Sequence, residues 1–142
     1  MGARTAWVRP RGMDKECVPL CRAMNRVPGI RTHSSCSGHG RMPFSVLFQA
    51  ETIESLYLVA RCLDRRYGCP SKQWQCVVLN NDTIETHPVT FMVSSGTIRG
   101  ERAYRHAGVI AANIDEMVDK WLPKFGHRVG RGASRPRGGN RG

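Results

Sequence analysis

Residues 44–63 read FSVLFQAETIESLYLVARCL, and the spacing of the apolar side chains changes within this stretch. In its first half the apolar residues alternate, with Phe44, Val46 and Phe48 on one face, which is the two-residue period of a β-strand. After Thr52, a residue type that commonly caps helices, the apolar positions recur at the spacing of an amphipathic helix. A strand that leads directly into such a helix predicts a sheet with helices packed against it.

Strand-like and helix-like patterns follow one another over the rest of the chain as well. The patterns predict, in order, a helix over 14–27, strands over 30–36 and 44–49, a helix from Thr52 to a stop at Gly68, strands over 74–79 and 84–94, and a last helix that ends at Pro123. The order α-β-β-α-β-β-α is typical of an α+β fold with one mostly antiparallel sheet. A length of 142 residues suits a single domain.

The net charge of +11 is concentrated at the two ends of the chain. Residues 1–12 contain three arginines and residues 123–142 contain six bases, with no acid in either segment. The body between them, residues 13–122, has 13 bases and 11 acids and is therefore nearly neutral. We predict a disordered leader over 1–12, one ligand-binding domain over 13–122, and a disordered Gly/Arg-rich tail over 123–142 that attracts polyanions weakly.

The cysteines indicate a reducing compartment. No pair has the CxxC spacing, and no apolar signal-peptide core follows the basic start, so core thiols in a cytoplasmic protein are expected. No apolar run approaches the ~20 residues of a membrane-spanning helix, and no membrane association is predicted. A zinc site from Cys36, His39 and Cys69 is conceivable from residue type, but no paired-ligand spacing supports it. We therefore predict no metal and no cofactor. The six cysteines are Cys17, Cys21, Cys36, Cys62, Cys69 and Cys76.

The most distinctive segment is residues 29–41, GIRTHSSCSGHGR. Its last five residues, 37–41, form a predicted loop between the first two strands, called the SGHGR loop below. Successive loop amides can form an anion-binding nest, and an arginine fork adds contacts to phosphate oxygens. The other interpretation is a tight connection that needs glycine for its positive φ angles. As candidate ligand-binding residues the loop offers Ser37, Gly38, His39, Gly40 and Arg41.

A nucleophilic Cys–His pair, Cys36 with His33 or His39, is a weaker hypothesis. No Asp or Glu lies between Glu16 and Glu51 to orient the histidine from nearby in sequence. The sequence therefore favours a binding protein over an enzyme.

Further candidate residues lie on the predicted helices and on one strand. Phe91 is either a core residue or a platform on which a base stacks. Arg66, near the end of the second helix, is either a solvated cation or a phosphate clamp. Arg99, Arg102 and Arg105 enter the last helix, and the charge of Arg102, near the helix start, opposes the helix dipole. A bound anion would remove that conflict.

The stretch from residue 17 to residue 41, CVPLCRAMNRVPGIRTHSSCSGHGR, has local similarity to one known family. Its SSCSG core resembles a segment of the family that methylates the wybutosine precursor in tRNA with S-adenosylmethionine. The chain departs from that family where His39 and Gly40 precede Arg41. This resemblance implies, as an alternative, a tRNA-modifying enzyme or accessory domain, and a plain nucleic-acid-binding module is a third reading.

The layout of residues 13–122 resembles that of the first class of Thoeris anti-defense sponges of phages. The resemblance implies a homodimer or a larger homo-oligomer in the host bacterial cytoplasm. It would sequester, without cleavage, glyco-cyclic ADP-ribose or the cyclic trinucleotides of CBASS immune systems. It also implies that Phe91 stacks on a base and that Arg66 and Arg41 hold phosphates. Further contacts would come from the SGHGR loop and from Arg102 or Arg105 of the partner subunit.

Overall fold

A computed structural model of the protein describes residues 6–79 and 89–134, with side chains described as far as residue 121. The helices of this part are α1 (Val18–Arg26), α2 (Ile53–Arg61) and α3 (Gly100–Ser134), and the strands are β1 (Ile30–Cys36), β2 (Ser45–Ala50), β3 (Gln75–Leu79) and β4 (Thr90–Ser94). Short 3-10 turns lie at Lys15–Cys17, Gly38–Gly40 and Arg65–Tyr67. The predicted α+β class and the order α-β-β-α-β-β-α are confirmed.

The four strands form one sheet in the order β1-β2-β4-β3, and every neighbouring pair is antiparallel. Helix α2 therefore connects β2 to a strand two positions away, and β4 returns between them. In the register, Phe48 of β2 lies opposite Phe91 of β4, and Val46 lies opposite Val93. The predicted strand over 84–94 begins at Thr90 in the described part, and residues 80–88, with Pro88, lie outside it.

The hydrophobic core lies between the helices and one face of the sheet. Phe44, Val46 and Phe48 are fully buried, which confirms the face predicted from their alternation. Burial of each such side chain contributes roughly 1.5–3 kcal/mol. Helices α1 and α3 pack together, and the Arg26 guanidinium at the end of α1 pairs with two carboxylates on α3, Asp115 and Asp119. All six cysteines are free thiols, and Cys17, Cys21, Cys62 and Cys69 are buried, as predicted for core thiols.

The second helix is shorter than predicted. It begins after Thr52, whose hydroxyl accepts a 3.0 Å hydrogen bond from the Ser55 amide, as expected of a cap. It ends at Arg61 and not at Gly68. Asp64 is the physical reason, because its carboxylate accepts from the Arg66 amide and starts a separate 3-10 turn that Gly68 closes with a φ of 98°.

The last helix is longer than predicted, since α3 continues through Pro123 to Ser134. Proline removes one backbone donor and distorts the preceding turn, but a long helix can continue past it. Residues 123–134, predicted as the start of the disordered basic tail, belong to this helix. The disorder of the rest of the tail stays a prediction, because residues 135–142 lie outside the described residues. No helix of the described part is long and apolar enough to cross a bilayer.

The predicted leader, residues 1–12, is described from residue 6 onward and contains neither helix nor strand there. It nevertheless contacts the domain. Trp7 packs against the core, with the Arg22 guanidinium 5.9 Å from its ring centroid. The Arg9 side chain donates to the Met13 carbonyl at 2.7 Å.

Candidate functional site

The SGHGR loop is a tight turn with a left-handed backbone. Gly38, His39 and Gly40 have φ angles of 82°, 52° and 81°, and His39 is the one non-glycine residue with a positive φ within the described part of the chain. The His39 amide donates to the Ser37 hydroxyl at 3.2 Å, and the amides of Arg41 and the next residue both donate to the Gly38 carbonyl. The interpretation that glycines are needed for positive φ is confirmed at Gly38 and Gly40.

The amides of Ser37 and Gly38 already have acceptors within the protein. The Ser37 amide donates to Asp14 Oδ2 at 3.0 Å, and the Gly38 amide donates to the Cys36 sulfur at 3.3 Å. The hydrogen bond from the Ser37 backbone is the main reason that the pKa of Asp14 is lowered, followed by contact with the Ser37 side chain. The carboxylate of Asp14 therefore occupies the position where the sequence suggested a phosphate, and these amides are not free to bind one.

Asp14, Cys36 and His39 bring three different donor atoms together beside this loop. Asp14 Oδ2 lies 3.9 Å from His39 Nε2, and the carboxylate oxygen, the sulfur and the imidazole nitrogen all lie within 4.8 Å of one another. Cys36 and Asp14 are partly buried and His39 is exposed. Of the three residues that the sequence offered as a conceivable zinc site, Cys36 and His39 lie close together. Cys69 is buried elsewhere, with its thiol directed to the Ser71 carbonyl.

Two further thiols lie beneath this group. Cys17 and Cys21, at the start of α1, are fully buried, and the Ser35 side chain hydrogen-bonds to both of them. Burial raises the pKa of Cys17 to about 12 and also raises the pKa of Cys21. Both therefore remain protonated near neutral pH, which is unsuitable for a nucleophile.

Four arginines lie around the loop and the start of α3. Arg99 Nη1 donates to the Arg41 carbonyl at 2.8 Å, and a Cβ added to Gly100 would lie 3.8 Å from Gly40 Cα. The loop thus packs against the first residues of α3. Within residues 6–79 and 89–121, none of these guanidinium groups has a carboxylate at ion-pair distance. We call Arg41, Arg99, Arg102 and Arg105 the arginine cluster.

His106 connects the arginine cluster to β3. Its Nδ1 accepts a 3.1 Å hydrogen bond from Trp74 Nε1, and Trp74 is the buried residue that precedes β3. Burial lowers the pKa of His106, and the positive charges of Arg102 and Arg105 lower it further. The neutral imidazole is therefore the form that fits this position.

Arg66 and Phe91, the residues predicted to contact a phosphate and a base, each have a partner within the protein. Arg66 is exposed and forms a bidentate pair with Asp64 in its own turn, with Nη2 2.8 Å from Oδ2. This pair raises the pKa of Arg66 and lowers that of Asp64. The Phe91 ring lies 5.6 Å from the Phe48 ring at the edge of the core. Along β4 it is three residues from Ser94, about 10 Å from the end of the strand nearest the loop.

Sequence reasoning missed one residue of this region and gave another too little weight. The sequence pattern places Asp14 only at the start of the first predicted helix, because 23 residues separate it from its partner Ser37. Arg99 is a candidate from its place near the start of the last helix, but nothing in the sequence indicates its contact with Arg41.

Comparison of the chain with family models, curated proteins and solved structures finds no match.

Proposed function

We propose that the protein is a phage-type anti-defense protein. It binds a cyclic nucleotide second messenger, glyco-cyclic ADP-ribose or a cyclic trinucleotide, in the host bacterial cytoplasm and sequesters it without cleavage. The observation that carries the proposal is the arginine cluster: Arg41 lies in the loop, Arg99 donates to its carbonyl, and Arg102 and Arg105 lie on the first two turns of α3. Among the described residues, none of these four has a carboxylate at ion-pair distance. The sequestering role itself is inferred from the resemblance of the layout of residues 13–122 to that of the Thoeris anti-defense sponges.

The chemistry of arginine supports an anionic ligand at this position. Each guanidinium offers five donors in a planar fork that matches two oxygens of one phosphate. Because the body of residues 13–122 is nearly neutral, this concentration of positive charge is local. A small ligand with two or three phosphate charges fits such a patch better than a nucleic-acid duplex, which needs an extended basic surface.

The proposed site differs in part from the set expected from the sequence. It keeps Arg41, Arg102 and Arg105 and adds Arg99. We leave Phe91 and Arg66 out of the proposed site, because the Phe91 ring packs on Phe48 and Arg66 pairs with Asp64. The arginine cluster is exposed on a single chain, so a second copy of the protein would be needed to enclose the ligand, in line with the expected homo-oligomer.

Calorimetry with glyco-cyclic ADP-ribose and with cyclic triadenylate tests the proposal. After binding, the complex is heat-denatured and the released ligand is identified by chromatography. We expect one of the ligands to bind and to be released intact. Conversion of the ligand would contradict the proposal. So would binding of tRNA or S-adenosylmethionine without binding of either messenger.

The double variant Arg41→Ala/Arg102→Ala provides the site test. Neither guanidinium makes a hydrogen bond within the described structure, so the fold should be retained. We expect affinity for the messenger to fall at least about 10-fold, the equivalent of ~1.4 kcal/mol. Arg31→Ala is the matched control, because Arg31 is an exposed arginine on β1, opposite Gln49 and away from the loop. Equal affinity in the double variant and the control would remove the arginine cluster from the site.

A further inference from the structure

Three separate segments bring an oxygen, a sulfur and a nitrogen donor to one point. Asp14 precedes the first 3-10 turn, Cys36 ends β1, and His39 lies in the SGHGR loop. We propose that Asp14, Cys36 and His39 bind a divalent transition-metal ion of the zinc class and leave its fourth position open. This site uses none of the residues of the arginine cluster and goes beyond the proposed function.

The donor set and its dimensions fit such an ion. Zinc accepts thiolate, imidazole and carboxylate ligands at about 2.0–2.3 Å, so donors around a tetrahedral ion lie roughly 3.3–3.8 Å apart. The Asp14 oxygen and the His39 nitrogen are 3.9 Å apart, and the whole set lies within 4.8 Å. Closing the set requires movements of about 1 Å or less, which the exposed His39 side chain can make by rotation about its own bonds.

The backbone of the loop already orients two of the three ligands. The Ser37 amide donates to the Asp14 carboxylate, and the Gly38 amide donates to the Cys36 sulfur. Hydrogen bonds of this kind to ligating groups fix their direction and stabilise their charged forms around a metal. They are built into the turn and require no rearrangement when an ion arrives.

The conformation of His39 is a second, independent observation. A side-chain-bearing residue in the left-handed region is strained by about 1–2 kcal/mol, whereas glycine adopts that region freely. His39 has a φ of 52° between two glycines with similar angles. A third glycine would therefore be less strained at this position. Binding of an ion by the imidazole, directed toward Asp14, explains the histidine.

Cobalt and zinc titrations of the full chain, stripped with a chelator and kept reduced, test the site. We expect one equivalent of zinc to be retained. Cobalt should give the visible ligand-field bands of a tetrahedral ion together with a sulfur-to-cobalt charge-transfer band. Protein that retains no zinc and shows no cobalt spectrum would overturn the proposal.

Single variants identify the ligands. Cys36→Ser should abolish the charge-transfer band, and Asp14→Asn should weaken cobalt binding at least about 10-fold. Cys76→Ser is the control, because Cys76 is a partly buried thiol on β3, outside this group, and should leave the titration unchanged. An unchanged charge-transfer band in Cys36→Ser would contradict the assignment.

His39→Gly removes a ligand without risk to the fold, because it also relieves the left-handed strain. We expect this variant to be at least as stable as the parent and to lose tight cobalt binding. Retention of the parent spectrum would exclude His39 as a ligand. The Arg41→Ala/Arg102→Ala protein should bind metal normally, so failure of the metal proposal and failure of the messenger proposal are distinguishable.

Discussion

The carboxylate of Asp14 accepts a 3.0 Å hydrogen bond from the backbone amide of Ser37, which lies 23 residues further along the chain. This bond connects the segment before α1 to the loop after β1. It also supplies an acceptor to an amide that the sequence offered for phosphate. We therefore expect an external anion at this end of the protein to bind mainly to guanidinium groups.

Replacing Asp14 with alanine and with asparagine should distinguish the contribution of the hydrogen bond to stability from that of the rest of the side chain. Asp14→Ala leaves the Ser37 amide without its acceptor, which costs about 1–2 kcal/mol of unfolding free energy. Asp14→Asn keeps an oxygen that can accept and should lose less than half of that. Urea denaturation of the metal-free proteins at neutral pH measures both values. Equal losses in the two variants would mean that the hydrogen bond contributes little.

Two glycines of the SGHGR loop should respond differently to alanine, although their φ angles are almost equal. A Cβ on Gly38 would lie 2.9 Å from the Pro43 carbonyl oxygen, a backbone atom that cannot move aside. A Cβ on Gly40 would meet nothing within 4 Å. We expect Gly40→Ala to cost about 1 kcal/mol from the left-handed backbone alone, and Gly38→Ala to cost about 2–3 kcal/mol.

Thermal or urea unfolding of the two glycine variants provides the measurement. Because the strain of the positive φ is common to both, the difference between them reports the clash with Pro43. If Gly40→Ala were the more destabilised variant, the described path of the loop would be wrong.

Phe91→Leu distinguishes a core ring from a base platform. The Phe91 ring packs on Phe48, so replacing it with leucine should cost about 1 kcal/mol of stability through lost ring contact and volume. Affinity for the cyclic nucleotide should change by less than about 2-fold. A large loss of affinity in a folded Phe91→Leu protein would return Phe91 to the binding site, as the family resemblance implies. Calorimetry on the variant, with unfolding measured in parallel, decides this.

The fold was predictable because its signals are local. The alternation of Phe44, Val46 and Phe48 and the cap at Thr52 each depend on a few neighbouring residues, and the structure confirms both. The errors lie at helix ends. Asp64 starts a new turn where the apolar spacing suggested a continuous helix, and Pro123 lies within α3 where it suggested an end.

The candidate site was harder to predict because its contacts join distant segments. The pairing of Asp14 with Ser37 depends on how α1 and β1 pack, which no spacing rule reports. The sequence did identify the unusual loop and the arginines of the last helix. It did not show that Arg99 reaches the Arg41 carbonyl and so joins the two groups.

His106 should make the stability of the protein depend on pH below neutrality. Its Nδ1 accepts from Trp74 and cannot do so when protonated, and burial with Arg102 and Arg105 lowers its pKa below the ordinary value of about 6.5. The unfolded chain therefore binds a proton before the folded protein does. The free energy of unfolding should fall as the pH drops from about 6.5 toward the lower pKa that His106 has in the folded protein. Above about pH 6.5 the neutral His106 should contribute its full stabilisation.

Urea midpoints followed by tryptophan fluorescence on both sides of about pH 6.5 measure this effect. His106→Gln keeps an oxygen that can accept from Trp74 at every pH, so it should be stable and should show a smaller dependence on pH. Arg102→Gln removes one neighbouring positive charge and should raise the pKa of His106 in the folded protein. The pH range over which stability is lost should then be narrower, because this pKa lies closer to that of the unfolded chain. A pH dependence identical in the parent and His106→Gln would assign the effect to other groups.

An anion bound at the arginine cluster should raise the pKa of His106, as Arg102→Gln does. An NMR titration of the His106 ring with and without messenger therefore also reports whether the ligand binds beside it.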